Sequence, residues 1–188
     1  MERKRWHWGL VALAVGLAVG VPSGRSAEPS KEQTRELVVR YVLSTVHAFR
    51  TVYMNYVVEH LAKAGIMPKE DWNKHGHAVM LPFQFVKLAA REVKADLKDL
   101  EIGLISLTPI YTSNFPKTQA EVDALKRLAA DPRRSVLIFG DGDQVKGVIA
   151  DVAIQQACAD CHNQHPNSTR RDFKMGDLMG AVVVRADK

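Results

Sequence analysis

Cysteine occurs at two positions in the 188 residues, and both lie in one pentapeptide, Cys158-Ala159-Asp160-Cys161-His162. Two thiols three positions apart cannot staple distant parts of a chain, so a disulfide framework is excluded and an apolar core has to hold the fold together. The composition allows such a core: 46% of the residues are hydrophobic and 25% charged, the balance of a globular domain rather than of a disordered or multispanning chain. One domain is expected at this length, and no internal repeat or low-complexity tract divides it.

The first 27 residues stand apart. Arg3, Lys4 and Arg5 precede an uncharged apolar run from Gly9 to Val21, followed by Pro22 to Ala27. That is the layout of a secretory signal peptide, and the run is shorter than the roughly 20 residues a membrane-spanning helix needs. Arg25 stands where cleavage after Ala27 prefers a small residue, so an uncleaved membrane tether is the alternative. The expectation is a signal peptide over 1–27 and an exported, periplasmic domain over 28–188. The segment also explains the charge. The chain has 26 basic and 21 acidic residues, a formal +5, but Arg3, Lys4, Arg5, Arg25 and Glu2 belong to the leader and leave 22 against 20, or +2. No nucleic-acid partner is therefore expected, and membrane contact only if the leader is retained.

Along the exported part, Ser30 and Gln33 have capping-box spacing. Leu37, Tyr41, Val46, Phe49, Tyr53, Tyr56 and Leu61 then recur at helical steps, which predicts one helix of about thirty residues ending at Gly65 and Pro68. Residues 68–78 read as a loop. A second helix opens at Pro82, carries apolar residues as far as Leu97 and Leu100, and closes at Gly103. Leu104–Leu107 reads as a strand and Thr108–Lys117 as a loop. Thr118 and Glu121 suggest a capping box before a helix that stops at Asp131-Pro132. Ser135–Phe139 and Val145–Val152 are strands joined by Gly140-Asp141-Gly142-Asp143, a hairpin signal. A short helical piece leads to Cys158, and Gly180–Arg185 is the last strand. Helices around a small antiparallel sheet make an α+β domain.

Cys158-Ala159-Asp160-Cys161-His162 matches the attachment sequence of a c-type haem. Two thiols at this spacing reach the two vinyl groups of one macrocycle, and the adjacent His162 supplies the proximal axial nitrogen to iron. A thioredoxin-like redox pair would sit in a βαβ unit, which this chain lacks. A zinc site from Cys158, Cys161, His162 and His165 would crowd its ligands too closely. Export places the chain where haem c is attached, so one covalently held haem c is the expected cofactor. Asp160 and Asn163 are candidates to orient His162. Arg170, Arg171 and Lys174, just past the motif, are candidates to pair with haem propionates, with a solvated loop as the alternative.

The segment Ala157 to Pro166, followed by Asp172-Phe173-Lys174-Met175-Gly176-Asp177-Leu178-Met179-Gly180, resembles the PAS-like c-type haem domain of bacterial cytochromes and of the periplasmic region of some signalling proteins. Arg50, Tyr53, Pro82, Phe85, Ser106, Pro109, Asn114, Pro116 and Asp131-Pro132 match in order upstream. The resemblance implies a PAS-like antiparallel sheet flanked by helices, preceded by a long N-terminal helix, with the haem near the C-terminal strand. One branch of that family takes a distal cysteine ligand from an upstream helix, but here both cysteines are committed to attachment. Met80 is then the first candidate for the sixth position, His77 and His75 follow, and Met54 and His47 come after; a vacant or water-filled site is equally open. Each has an ordinary alternative, core packing for the methionines and solvated loop for the histidines. The function expected is redox or small-gas sensing, with periplasmic electron transfer as the alternative and enzymatic catalysis disfavoured. Output would need a redox or signalling partner, or a homodimer through the long first helix.

Overall fold

A computed structural model describes residues 28–131 and 136–187, and the expected signal peptide lies outside them. The first helix, α1 (Lys31–Val52), begins where the sequence predicts: Ser30 Oγ accepts from the Gln33 backbone N–H at 3.2 Å, and Gln33 Oε1 accepts from the Ser30 N–H at 2.8 Å. Such a cap stabilises a helix by about 1 kcal/mol. The helical run continues to Lys63 as expected, but Tyr53–Val58 winds as a π-helical turn before α2 (Glu59–Lys63). Gly65, at a φ of 81°, supplies the left-handed residue that ends it.

Several boundaries differ from expectation: the strand expected over Leu104–Leu107 ends at Ile105, the last strand runs Leu178–Asp187, and two differences are larger. Residues 68–78 are not simply a loop, because β1 (Met67–Lys69) pairs in parallel with β2 (Ala78–Met80). Strands of three residues are too short to show a period of two. Helix α3 (Pro82–Asp96) opens on proline as predicted but stops at Asp96, and Leu100 and Gly103 belong to β3 (Leu100–Ile105). Leu97 and Leu100 continue the helical spacing, whereas Leu100, Ile102 and Leu104 alternate along a strand and join one core. The chain goes on through α4 (Gln119–Ala130), β4 (Val136–Asp141), β5 (Gln144–Val152), α5 (Gln156–Gln164) and β6 (Leu178–Asp187). Gly142, at a φ of 58°, makes the two-residue β4–β5 turn.

The four long strands form an antiparallel sheet in the order β3-β6-β5-β4, the α+β, PAS-like arrangement expected. Alternate residues face opposite ways and both faces are covered. Val145, Ile149, Val182 and Val184 pack under α1 and α3 with Val39 and Leu43. Val148, Ala150, Ala181 and Val183 pack under α4 with Leu125 and Leu128. Gly147 marks the crossing of α1 over β5, since a Cβ there would stand 2.7 Å from Val39, Leu43 and Ile138 side-chain atoms.

On the α4 face, Glu121 is fully buried. Its carboxylate takes Arg185 Nε at 2.7 Å, Arg185 Nη2 at 2.9 Å and Lys146 Nζ at 3.0 Å, and accepts from the Lys117 backbone N–H at 2.8 Å. The Thr118 half of the predicted capping box forms, at 3.4 Å. Glu121 instead spends its oxygens on cations from β5 and β6. Burial would raise its pKa, but the hydrogen bonds from Arg185, Lys117 and Lys146 prevail and hold it at about 2.

Candidate functional site

At one end of the sheet the register of β5 on β6 shifts between Asp151 and Val152, and the chain leaves the sheet for α5. Such irregularities re-aim side chains beside functional sites. Ala153, Ala159, Phe173 and Met179 form a separate small core against which Cys158 packs, so α5 is seated on its own apolar base. Gln155 Nε2 donates to Glu59 at 3.1 Å and ties the start of α5 to α2. Between α5, the π turn, β1 and the first turn of α3 lies a cleft of about 270 Å³.

Cys158, Cys161 and His162 line that cleft from α5. The thiols are one helical turn apart and free, Cys158 half-buried and Cys161 exposed. Burial, with the Glu70 and Cys158 charges behind it, pushes the Cys161 thiol up. Burial also lowers the pKa of His162, whose Nδ1 is buried with no hydrogen-bond partner. The His162 ring meets Phe173 edge-on, centroids 5.6 Å apart at 85°. Asn163 fixes that phenylalanine, donating to its carbonyl and accepting from its N–H, both at 2.9 Å. Asn163 therefore positions His162 at one remove, while Asp160 accepts from Gln156 at 2.8 Å.

The opposite wall comes from the first helix. Arg50, Met54 and Val58 follow at four-residue steps, are 7%, 6% and 1% exposed, and all line the cleft. Arg50 Nη2 forms an ion pair with Asp151 Oδ1 at 2.5 Å, yet Arg50 Nε and Asp151 Oδ1 are both buried without a hydrogen bond. A buried donor left unmade costs about 1–3 kcal/mol, so the arrangement is incomplete as it stands. His47, one turn back, has its pKa lowered by burial and by the Arg50 charge. Met67 and Glu70 complete the rim. Tyr111 donates to Glu70 Oε1 at 2.6 Å, and His165 Nε2 lies 3.3 Å from the same oxygen. Burial and that carboxylate raise the Tyr111 pKa to about 12.

The remaining sequence candidates lie off the wall. Met80 sits in β2, where its carbonyl accepts from Tyr53 Oη at 2.9 Å. His77 is exposed, and His75 Nε2 lies 3.1 Å from Asp71. Arg170 is held by Asp172 and Asp177, each at 2.7 Å, with its guanidinium 4.2 Å over the Phe173 ring. Arg171 donates to the carbonyls of Asn163 and Pro166, at 3.1 and 3.2 Å, and Lys174 is exposed. The motif and the long helix are thus brought together, and the cluster after the motif packs on its own loop. Arg50 had a signal in the sequence: it is the one Lys, Arg, Asp or Glu between Tyr41 and Val58. Asp151, at the end of a β-branched run, had none.

Two free thiols one turn apart, an imidazole nitrogen without a partner, a thioether and a buried guanidinium around an otherwise mostly apolar cleft are a donor set that fits a covalently tethered haem. The ligands of the zinc alternative do not converge: among the described residues no three Cys, His, Asp or Glu side chains are grouped to hold a metal ion. A family model described as Tll0287-like matches residues 27–186. The crystal structure of the cyanobacterial heme-protein Tll0287 is similar in fold, with a TM-score of 0.58 and 17% identity over 85% of this chain and 98% of that one. No match is found among the curated proteins.

Proposed function

Because the chain belongs to the Tll0287-like family, we propose that it is an exported haem-binding protein with one haem c. The observation that carries this reading is the convergence of Cys158, Cys161 and His162 with Met54 on one cleft. When bound, the haem supplies an iron that changes oxidation state and takes small ligands. Cys158 and Cys161 tether it through thioethers. His162 donates a ring nitrogen, held in orientation by Phe173 and Asn163. Met54 would offer the second ligand in place of the sequence candidate Met80, because it is the buried thioether on the facing wall, whereas Met67 is 52% exposed at the rim. The 1–27 segment, read from sequence, supports export.

The role favoured is redox or small-gas sensing, because a thioether such as that of Met54 would bind ferric and ferrous iron unequally and so would be a displaceable ligand. Met54 lies in the π turn, a kind of segment common at functional sites. Tyr41 and Tyr56, 65% and 74% exposed on the long helix, support a homodimer or a signalling partner as the route of output. A second reading, electron transfer, rests on the exposed Cys161, which would leave a haem edge at the surface. No catalytic acid or base is assigned.

Intact-mass spectrometry of the full chain matured with haem-attachment machinery tests the core of this reading. One haem added to the wild type and none to the Cys158→Ser, Cys161→Ser double variant is expected; an unmodified wild-type chain would overturn it. Carbon monoxide and nitric oxide titration of the ferrous protein separates the roles, since tight binding supports sensing and absence of binding with rapid electron exchange supports transfer.

A further inference from the structure

The sequence offers Arg170, Arg171 and Lys174 for the anionic edge of the cofactor, but the structure spends the two arginines elsewhere. Arg170 already has Asp172 and Asp177, and Arg171 is bonded to backbone carbonyls. Arg50 is the cation on the cleft wall, and it is 93% removed from solvent by its 7% exposure. Its one recorded partner, Asp151, approaches Nη2 and leaves Nε without a hydrogen bond.

We infer that Arg50 is a carboxylate-binding residue of the cleft, with its Nε donating to a haem propionate while Asp151 stays ion-paired at Nη2. This rests on the haem reading proposed above. A guanidinium presents five donors in a planar fork, so an ion pair at Nη2 does not use them all, and the unbonded Nε–H is available to a second carboxylate. Two carboxylates on one arginine are tolerated when one arrives with the ligand: without it Arg50 and Asp151 are a neutral pair, which keeps the cleft from carrying a bare buried charge. Arg50 is one helical turn from Met54, so the same helix face would hold the anionic edge of the macrocycle and offer its sixth ligand. The same donor could instead serve a small exogenous anion bound at iron, and the two sources are separable.

The test is resonance Raman spectroscopy of the full-length haem-loaded protein, read at the propionate bending band, which moves when a hydrogen-bond donor to the propionate is lost. Arg50→Gln is expected to shift the band, Arg50→Lys to shift it less, and Arg170→Gln and Arg171→Gln to leave it in place. Azide affinity of the ferric protein is measured in parallel. A band that moves for Arg170→Gln or Arg171→Gln and not for Arg50→Gln overturns the assignment. So does an Arg50→Gln protein that keeps the band and loses at least tenfold in azide affinity, because the donor then serves an exogenous anion. If Arg50→Gln does not accumulate, Asp151→Asn reports instead: with the competing carboxylate gone, the arginine turns wholly to the propionate and the band moves opposite to the Arg50→Lys shift; an unmoved band overturns the inference. A purified wild type without haem absorption bands removes the reading beneath the inference, and the inference with it.

Discussion

Two buried charge clusters sit on opposite sides of this domain, and they differ in one respect. On the α4 face, Glu121 meets Arg185, Lys146 and the Lys117 backbone N–H, and none of these buried side-chain polar atoms lacks a partner. At the cleft, Arg50 Nη2 and Asp151 Oδ1 lie at ion-pair distance, but Arg50 Nε, Asp151 Oδ1 and His162 Nδ1 are buried without a hydrogen bond. Native interiors satisfy nearly all their polar groups, so the closed network is the ordinary case and the open one is the exception that calls for an explanation. The same residue types, arginine with a carboxylate, thus form a closed network in one region and an open one in the other.

The sharpest way to break that contrast is at the motif. His162→Ala should abolish normal iron ligation in the purified protein, a complete loss in the visible spectrum, while the far-ultraviolet circular dichroism of the chain stays that of the wild type. Glu121→Gln should cost roughly 3 kcal/mol in urea unfolding, because it removes the buried charge that Arg185 and Lys146 share and leaves them only the more exposed Glu101 and Asp141. Its haem bands should be unchanged; if the two arrive together, the regions are not independent. In the haem-free chain, the double variant Arg50→Met, Asp151→Asn should lie within about 1 kcal/mol of wild type, since a buried pair exchanged for uncharged groups is often neutral. A loss like that of Glu121→Gln would mean that the cleft pair is also structural.

Acid sharpens the comparison further. The Glu121 carboxyl has its folded pKa depressed to about 2 from an ordinary 4.5. Its contribution to stability is therefore complete above pH about 4.5 and is lost as the pH falls toward 2. Unfolding free energy measured over that window should fall in the wild type and fall less in Glu121→Gln. Among the smaller effects, Met54→Ala should remove the far-red methionine-to-iron band of the ferric protein, and Met80→Ala should leave it. Arg170→Gln, at a partly exposed ion pair, should change stability by no more than about 1 kcal/mol.

What could be read from the sequence follows from how local the signal was. The Ser30 cap, Pro82 at a helix start and the Gly142 turn are decided by neighbours in the chain, and each stands where it was expected. Cys158 to His162 is equally local, since its chemistry depends on spacing within one turn. Leu97 and Leu100 misled because two apolar residues three apart suit a helix and a helix-to-strand junction alike. The cleft wall was not legible from periodicity. Met54 and Met80 are both methionines among apolar neighbours, and only the π turn and the β1–β2 pairing decide which of them lines the cleft. Asp151 stands at a register shift that no pattern of its own strand announces.

The most direct measurement is the absorption spectrum of the purified, matured full-length protein in alkaline pyridine, taken before and after acid–acetone extraction. A haem held by thioethers from both Cys158 and Cys161 gives the c-type ferrous pyridine bands, and they stay with the protein through extraction. A haem that leaves with the solvent, or a preparation with no haem bands at all, would contradict the assignment of the cleft.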